Sequence, residues 1–221
     1  MHFEILVEDQ SGKQALDLLL PKMIGTTHTF RVIPYRGIGR IPKGMRDTAD
    51  ASKRALLSNL PKLLRGYGRS FSGRQGYAAA VILVCDLDDR CLRMLRQELD
   101  RVLDSCHPKP ETRFCVAVEE GEAWLLGDLQ AVDKAYPTAK KHVLNSYEND
   151  SICGTWEVMA NALFPGGAKA LAAKGWQAVG TEKSNWARNI SPHLTVEQNQ
   201  SPSFQYFRTK LLELAGDSAG N

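Results

Sequence analysis

One short stretch restricts the fold more than any other part of the chain. Residues 81–89 read Val-Ile-Leu-Val-Cys-Asp-Leu-Asp-Asp, an unbroken apolar run that ends in carboxylates. A strand that helices cover on both faces has no polar side, so this run predicts a central strand of a parallel sheet. That strand would deliver Asp86 and Asp88 to its carboxyl end.

Strand-like and helix-like segments alternate around this stretch. Further strands are predicted at residues 3–8, 29–35 and 113–118, with helices between them. Alternation of this kind, with right-handed crossovers, predicts an α/β fold with an open, mainly parallel sheet and helices on both faces. Residues 138–221 show only short helical pieces separated by Gly and Pro. We therefore expect an α/β domain at 1–137 and a helical C-terminal cap or subdomain at 138–221.

Three local patterns give more detailed expectations. Ser11 followed by Gln14 matches a capping box and predicts the start of the first helix. Residues 46–64 have helical spacing that Pro61 would break in two. Residues 66–76 hold four glycines among Arg and aromatic residues, which predicts a flexible basic loop suited to nucleic acid.

Positive charge is concentrated in one part of the sequence. Residues 31–74 contain 11 Lys and Arg against 2 Asp, or +9, so a total of +3 leaves −6 for the remainder. Such asymmetry indicates a face that attracts anions, although an arginine-rich solvated helix gives the same pattern. The Gly-rich loop at 36–44 carries three cations, Arg36, Arg40 and Lys43, which we expect to bind phosphate.

The composition points to a cytoplasmic protein. No stretch approaches the roughly 20 apolar residues that span a bilayer, and the first residues lack the pattern of a signal peptide. The five cysteines form no Cys-x-x-Cys pair, which argues against a disulfide framework. A zinc site at Cys91, Cys106 and His107 is an alternative whose spacing matches no common pattern.

Acidic residues follow three of the predicted strands. Glu8 closes the first, Asp86 and Asp88 close the third, and Glu119 and Glu122 follow the fourth. Parallel strands share one carboxyl edge, and ligands bind there where the strand order reverses. Converging carboxylates repel unless a cation lies between them, and oxygen ligands suit Mg²⁺ or Mn²⁺. The sequence thus predicts a metal site and phosphate chemistry.

Two neighbouring acids have simpler interpretations. An Asp at a strand end commonly caps the next helix, which we expect of Asp89. We expect Glu120 to be a solvated side chain.

The arrangement resembles the TOPRIM domain of topoisomerases, primases and overcoming-lysogenization-defect nucleases. The resemblance rests on a Glu closing the first strand and an Asp-x-Asp closing the third, within a βαβα order. More narrowly, Val7-Glu8-Asp9, Asp86-Leu87-Asp88-Asp89 and Glu119-Glu120-Gly121-Glu122-Ala123-Trp124, with the late Ser201-Pro202-Ser203-Phe204, are similar to an uncharacterised bacterial TOPRIM-like family associated with ATPase genes. The chain lacks the small-residue turn that many TOPRIM domains have after the Glu, and it has no ATPase motif of its own.

The resemblance implies a role for each matching position. Glu8 would be a metal ligand or general base, and Asp86 and Asp88 the metal-binding pair; these three would be the catalytic residues. Glu119 and Glu122 would match the further acids of nuclease-type members.

The leading hypothesis is therefore a Mg²⁺- or Mn²⁺-dependent nuclease that acts on DNA or RNA, with an ATPase as a further partner in phage defence. Lys183 and Arg188 would add to the phosphate contacts of the Gly-rich loop at residues 36–44. The protein could act as a homo-oligomer. One alternative is a non-catalytic subunit that docks an ATPase and uses its acids as caps and surface charge. Another is a nucleotide-using transferase with an Asp-x-Asp metal site.

Overall fold

The structure is a computed structural model that describes residues 1–45, 55–73, 76 and 78–216. The strands in this part of the chain are β1 (His2–Val7), β2 (Thr29–Pro34), β3 (Ala79–Asp86) and β4 (Thr112–Ala117). The α-helices are α1 (Gln10–Ile24), α2 (Leu56–Ser72), α3 (Leu92–Asp104), α4 (Glu122–Leu126), α5 (Leu129–Ala135), α6 (Lys141–Leu144), α7 (Thr155–Leu163), α8 (Gly167–Ala172), α9 (Trp176–Ile190) and α10 (Pro202–Ala215). Short 3₁₀ turns occur at Lys43–Met45 and Ser191–His193.

The four strands form one parallel sheet in the order β2-β1-β3-β4. The chain leaves β1 toward β2 on one side and then crosses to β3 on the other. The strand order therefore reverses between β1 and β3, and a crevice is expected at their carboxyl ends. The predicted open α/β sheet is confirmed, and β2 lies at its edge.

Helices cover both faces of the sheet, as predicted. Side chains alternate along β1, so that Phe3 and Ile5 point to one face and Leu6 to the other. The first face packs against α1 and against residues of α4 to α10. The second face packs against α2 and α3. Burying each large aliphatic or aromatic side chain contributes about 1.5–3 kcal/mol, so both layers stabilise the strands.

The predicted helical C-terminal part covers the first of these faces. Its described residues, 138–216, contain helices and no strand. Trp186, Phe204 and Phe207 are almost completely buried and share one hydrophobic cluster with β1 and α1. The boundary at residue 137 stays a prediction.

The first helix begins differently from the prediction. Asp9, not Ser11, is the N-cap of α1, and its Oδ1 accepts a hydrogen bond from Gly12 N at 2.8 Å. Ser11 lies inside the helix and donates its hydroxyl to the Asp9 carboxylate. The capping-box prediction was wrong because Asp9, two residues before Ser11, supplies the side-chain acceptor.

The predictions for the next helix were also wrong in part. Pro61 lies within α2 without ending it, and α2 runs to Ser72 through most of the predicted flexible loop. Gly68 has a packing role, because a Cβ at this position would lie 1.9 Å from the carbonyl oxygen of Pro108. Residues 46–54, 74, 75 and 77 lie outside the described residues.

Candidate functional site

The carboxyl ends of β1 and β3 bring two acids together. Glu8 follows β1 directly, and Asp86 is the last residue of β3. The backbone N–H of Asp86 donates to Oε2 of Glu8 at 3.4 Å. The first and third strands are neighbours in the sheet, and these two acids lie at the point where the strand order reverses.

Glu8 and Asp86 both have raised pKa values. Burial and then the charge of Asp88 raise the pKa of Glu8 to about 7; the charge of Asp9 acts in the same direction, and the Asp86 N–H and the Lys183 charge oppose the shift. Burial and then the Glu8 charge hold the pKa of Asp86 well above its usual range. Two carboxylates this close are difficult to ionise together without a compensating cation.

Asp88 lies at the edge of this pair in an uncommon backbone conformation. Its φ is 51°, in the left-handed region that residues other than Gly seldom adopt. Its N–H donates to the carbonyl oxygen of Glu119 at 3.0 Å, and Leu87 N donates to Ala117 O at 2.9 Å. These bonds extend the β3–β4 pairing past the strand ends and fix Asp88 where its charge acts on Glu8.

One lysine from the C-terminal part reaches the acids. Nζ of Lys183, on α9, lies 3.0 Å from Oε2 of Glu122 and 3.4 Å from Oε1 of Glu120. Burial alone would lower the pKa of Lys183, but the charges of Glu122, Asp86 and Glu120 raise it above its ordinary value. Lys183 therefore neutralises the buried Glu122 and only partly compensates the others.

Glu120 belongs to this ionic cluster, contrary to the prediction of a solvated side chain. It is only partly exposed, and its Oε2 accepts a hydrogen bond from Trp156 N at 3.0 Å. Burial raises the pKa of Glu120 to about 7, although Lys183 opposes the shift. The sequence offers no sign of this role, since Trp156 and Lys183 come much later in the chain.

Glu119 has a different environment. Its carboxylate accepts hydrogen bonds from Gly154 N at 2.8 Å, from Thr155 N at 2.9 Å and from Cys153 N at 3.2 Å, besides the Thr155 hydroxyl. Burial would raise its pKa, but these four donors lower it. Glu119 thus caps α7 from outside the helix, and its predicted metal ligation would require those bonds to break.

The Gly-rich basic loop at residues 36–44 borders the same edge of the sheet. Gly37 N donates to the carbonyl oxygen of Glu8 at 3.1 Å, and Arg90 Nη2 donates to Gly39 O at 3.0 Å. The first turn of α2 adds two backbone hydrogen bonds to this loop. The loop is therefore anchored, and its three predicted phosphate-binding residues are exposed: Arg36, Arg40 and Lys43.

Two further predicted residues lie away from the cluster. Arg188 is exposed, hydrogen-bonds to Asn185, and follows Lys183 by five residues, which places it on another side of α9. Asp89 is exposed, and α3 begins after Cys91 without a side-chain cap, so the capping prediction for Asp89 was wrong.

A cavity of about 50 Å³ adjoins the acids. Glu8, Asp86 and Glu122 line it together with apolar side chains such as Leu16 and Trp124. The apolar lining keeps water away from Glu8 and Asp86, which is why burial is the largest cause of their raised pKa values.

A divalent ion fits the Glu8–Asp86 pair in donor chemistry and charge. Mg²⁺ is commonly held by one or two carboxylates and keeps several waters. Lys183 leaves these two acids incompletely neutralised. Within the described part of the chain, no three His, Cys, Asp or Glu side chains are grouped so as to hold a metal. The pair therefore offers part of a coordination shell that water and substrate would complete.

The cysteines do not form the alternative zinc site. Cys106 is buried and donates its thiol to Val102 O, whereas Cys91 is exposed. All five cysteines, each within the described residues, are free thiols.

Comparison with known proteins identifies no relative. No protein-family model matches the chain, no curated protein matches its sequence, and no solved structure matches its fold. Among the described residues, none of the helices combines the length and apolarity that crossing a bilayer requires.

Proposed function

We propose that this protein is a metal-dependent phosphodiesterase that hydrolyses nucleic acid and has a TOPRIM-like domain. The observation that carries the proposal is the Glu8–Asp86 pair at the reversal of strand order, where both pKa values are raised. Such an arrangement is unfavourable for the free protein and becomes favourable when a cation binds. Perturbed carboxylates at the expected ligand-binding position are typical of functional sites.

The proposed chemistry assigns a task to each group. Mg²⁺ or Mn²⁺ supplies charge stabilisation to the scissile phosphate and lowers the pKa of a bound water. Glu8 and Asp86 would hold the ion, and Asp88 would add negative charge beside Glu8. In the alternative role, Glu8 would leave the ion to Asp86 and would accept a proton from water, for which a pKa of about 7 is suitable at neutral pH. Arg36, Arg40 and Lys43 would bind the phosphate backbone at the same edge of the sheet.

The proposal includes a biological setting. A cytoplasmic nuclease of this kind would act on DNA or RNA, alone, as a homo-oligomer, or with a separate ATPase in phage defence. The resemblance of Glu8, Asp86 and Asp88 to TOPRIM motifs supports this setting, and the exposed cations of the basic loop support a polyanionic substrate.

Thermal unfolding with and without millimolar Mn²⁺ tests the proposal directly. A ligand that binds only the folded state raises its stability, by about 2.7 kcal/mol at a concentration of 100 times Kd. We expect the unfolding midpoint of the wild type to rise with Mn²⁺ and that of Asp86→Asn to stay unchanged. Asp89→Asn is the matched control, because Asp89 is exposed and three residues away, and it should behave like the wild type.

Nuclease assays on single-stranded and duplex DNA and RNA complete the test. We expect Mn²⁺-dependent cleavage by the wild type and by Asp89→Asn, and a loss of at least about 100-fold in Asp86→Asn. Equal midpoint shifts in wild type and Asp86→Asn, or cleavage that survives in Asp86→Asn, would contradict the proposal. A protein without a shift or cleavage that co-purifies with an ATPase would indicate the non-catalytic alternative.

A further inference from the structure

Trp176 is unusually exposed for a large aromatic residue. It is the first residue of α9, and 78% of its surface is accessible to solvent. Its ring meets the buried ring of Trp156 edge to face, with 6.2 Å between centroids. Trp156 therefore supports one side of the indole while most of the indole surface remains accessible.

Trp176 shares a helix face with the lysine of the acid site. Lys183 follows it by seven residues, which is almost two turns, so the two side chains project from the same side of α9 about 10 Å apart along its axis. The ammonium group of Lys183 lies among the carboxylates of Glu122 and Glu120. The indole therefore lies about two helical turns from the acids.

A second set of contacts links the same places. The Trp156 ring that supports Trp176 belongs to a residue whose N–H donates to Glu120 Oε2 at 3.0 Å. Glu120 in turn contacts Lys183. Trp176 is thus connected to the acid cluster both along α9 and through the first turn of α7.

Two lysines close to Trp176 in the sequence are free to meet an anionic ligand. Lys169 and Lys174 are exposed, and Nζ of Lys174 lies 4.9 Å from the centre of the Phe164 ring, close to the start of α9. An exposed indole among lysines suits a ligand with an aromatic ring and negative charge.

We propose that Trp176 is a stacking platform for one unpaired base of a single-stranded nucleic acid whose phosphate backbone runs toward Lys183 and the Glu8–Asp86 pair. The proposal rests on the proposed function for cleavage, but the binding that it describes does not require hydrolysis. A base in a duplex has both faces covered by its neighbours, so only single strands, or unpaired positions, should use Trp176.

Fluorescence anisotropy with a labelled oligothymidine tests the inference. Binding is measured in EDTA and again with Ca²⁺ in place of Mg²⁺ or Mn²⁺. We expect Trp176→Ala to raise Kd about ten-fold and Trp176→Phe to raise it less, because a phenyl ring still stacks. Met94→Ala is the matched control: Met94 is 54% exposed on α3, which covers the other face of the sheet, and its Kd should be unchanged.

Changing the oligonucleotide provides an independent check. An abasic oligonucleotide of equal length keeps the phosphates and lacks the rings, so wild type and Trp176→Ala should bind it equally. Duplex DNA should also bind equally to both. Repeating the measurement with oligouridine distinguishes RNA from DNA. The strand for which Trp176→Ala raises Kd by the larger factor, relative to wild type, is the one that Trp176 prefers.

Two outcomes would overturn the inference: an equal Kd of Trp176→Ala and wild type for oligothymidine and oligouridine, or an equal loss on the abasic strand. Failure of the proposed function looks different. In that case EDTA and Ca²⁺ give the same Kd and a small diester such as bis(p-nitrophenyl) phosphate is not hydrolysed, whereas the Trp176 effect persists. If the diester is hydrolysed equally by both proteins and Trp176→Ala binds oligonucleotides normally, the inference alone is wrong.

Discussion

Glu8 and Glu119 both follow buried strands at the same edge of the sheet, yet their environments are opposite. Glu119 accepts four hydrogen bonds from the start of α7, and its pKa is lowered. Glu8 has one weak hydrogen bond and acidic neighbours, and its pKa is raised to about 7. Glu119 stabilises the fold as an anion, whereas an ionised Glu8 opposes folding. The difference shows that two glutamates at similar positions can differ in energetics, and under the proposed function the unfavourable one is the functional acid.

The largest effect is expected from removing Lys183, the lysine that neutralises Glu122 in the ionic cluster. Lys183→Met would leave Glu122, which is 3% exposed, buried without its partner. We expect the free energy of unfolding to fall by roughly 3–5 kcal/mol, measured by urea denaturation in EDTA. Lys169→Met, at an exposed lysine on α8, should change it by less than about 0.5 kcal/mol.

A second variant distinguishes lost pairing from lost packing. Adding Glu122→Gln to Lys183→Met removes the unpaired charge and should restore most of the loss. If the double variant is no more stable than Lys183→Met, the ion pair is not what stabilises this part of the cluster.

The next effect concerns the structural acid. Glu119→Ala removes the acceptor for the N–H groups of residues 153–155, and water can replace only part of it because Thr155 is buried. We expect a loss of roughly 2–3 kcal/mol in the free energy of unfolding. Glu148→Ala, at an exposed glutamate, is the control and should be nearly neutral. A neutral Glu119→Ala would remove the contrast between the two acids.

The smallest effect has the opposite sign. Glu8→Gln removes a charge that is disfavoured in the folded state, so the variant should be more stable than the wild type in EDTA, by roughly 1–2 kcal/mol at about pH 8. The same variant should lose stabilisation by Mn²⁺. A destabilised Glu8→Gln protein would mean that the Glu8 charge is already compensated.

The pH dependence of the wild type provides the control for that result. The pKa of Glu8 rises on folding from 4.5 to about 7, so the folded state binds more protons between these values. The free energy of unfolding should therefore increase as pH falls from about 8 to about 6, and the increase should be smaller in Glu8→Gln. Glu120, whose pKa is also about 7, acts in the same direction and leaves a residual slope. Glu119 acts only at lower pH, because its lowered pKa removes stability as pH falls below 4.5.

The sheet could be predicted because its signals are local. The central strand β3 is an apolar run, the other strands are rich in β-branched and aromatic residues, and parallel pairing brings the acids that follow the strands to one edge. Gly68 could not be interpreted in this way. A glycine in the sequence suits a loop equally well, and only the close approach of Pro108, from the connection before β4, explains why this helix has a glycine there.

The different roles of Glu119 and Glu120 could not be predicted either, because they depend on residues that are distant in the sequence. Glu119 and Glu120 are identical in type, and their environments differ through a φ of 62° at Glu119 and through donors at residues 153–156. Lys183, which selects Glu120 and Glu122 as partners, lies on a helix whose position depends on packing against α1 and the other helices of the C-terminal part. Such contacts are fixed by tertiary structure alone.

The location of Lys183 late in the chain has a consequence for biosynthesis. Glu8, Asp86, Glu120 and Glu122 leave the ribosome well before α9 does. Until then the nascent chain carries the acids without their lysine, and Glu122 cannot be buried as an ion pair. Under the proposed function, the ionic cluster beside the metal-binding pair is completed only after α9 has been synthesised and has packed against the residues that precede it.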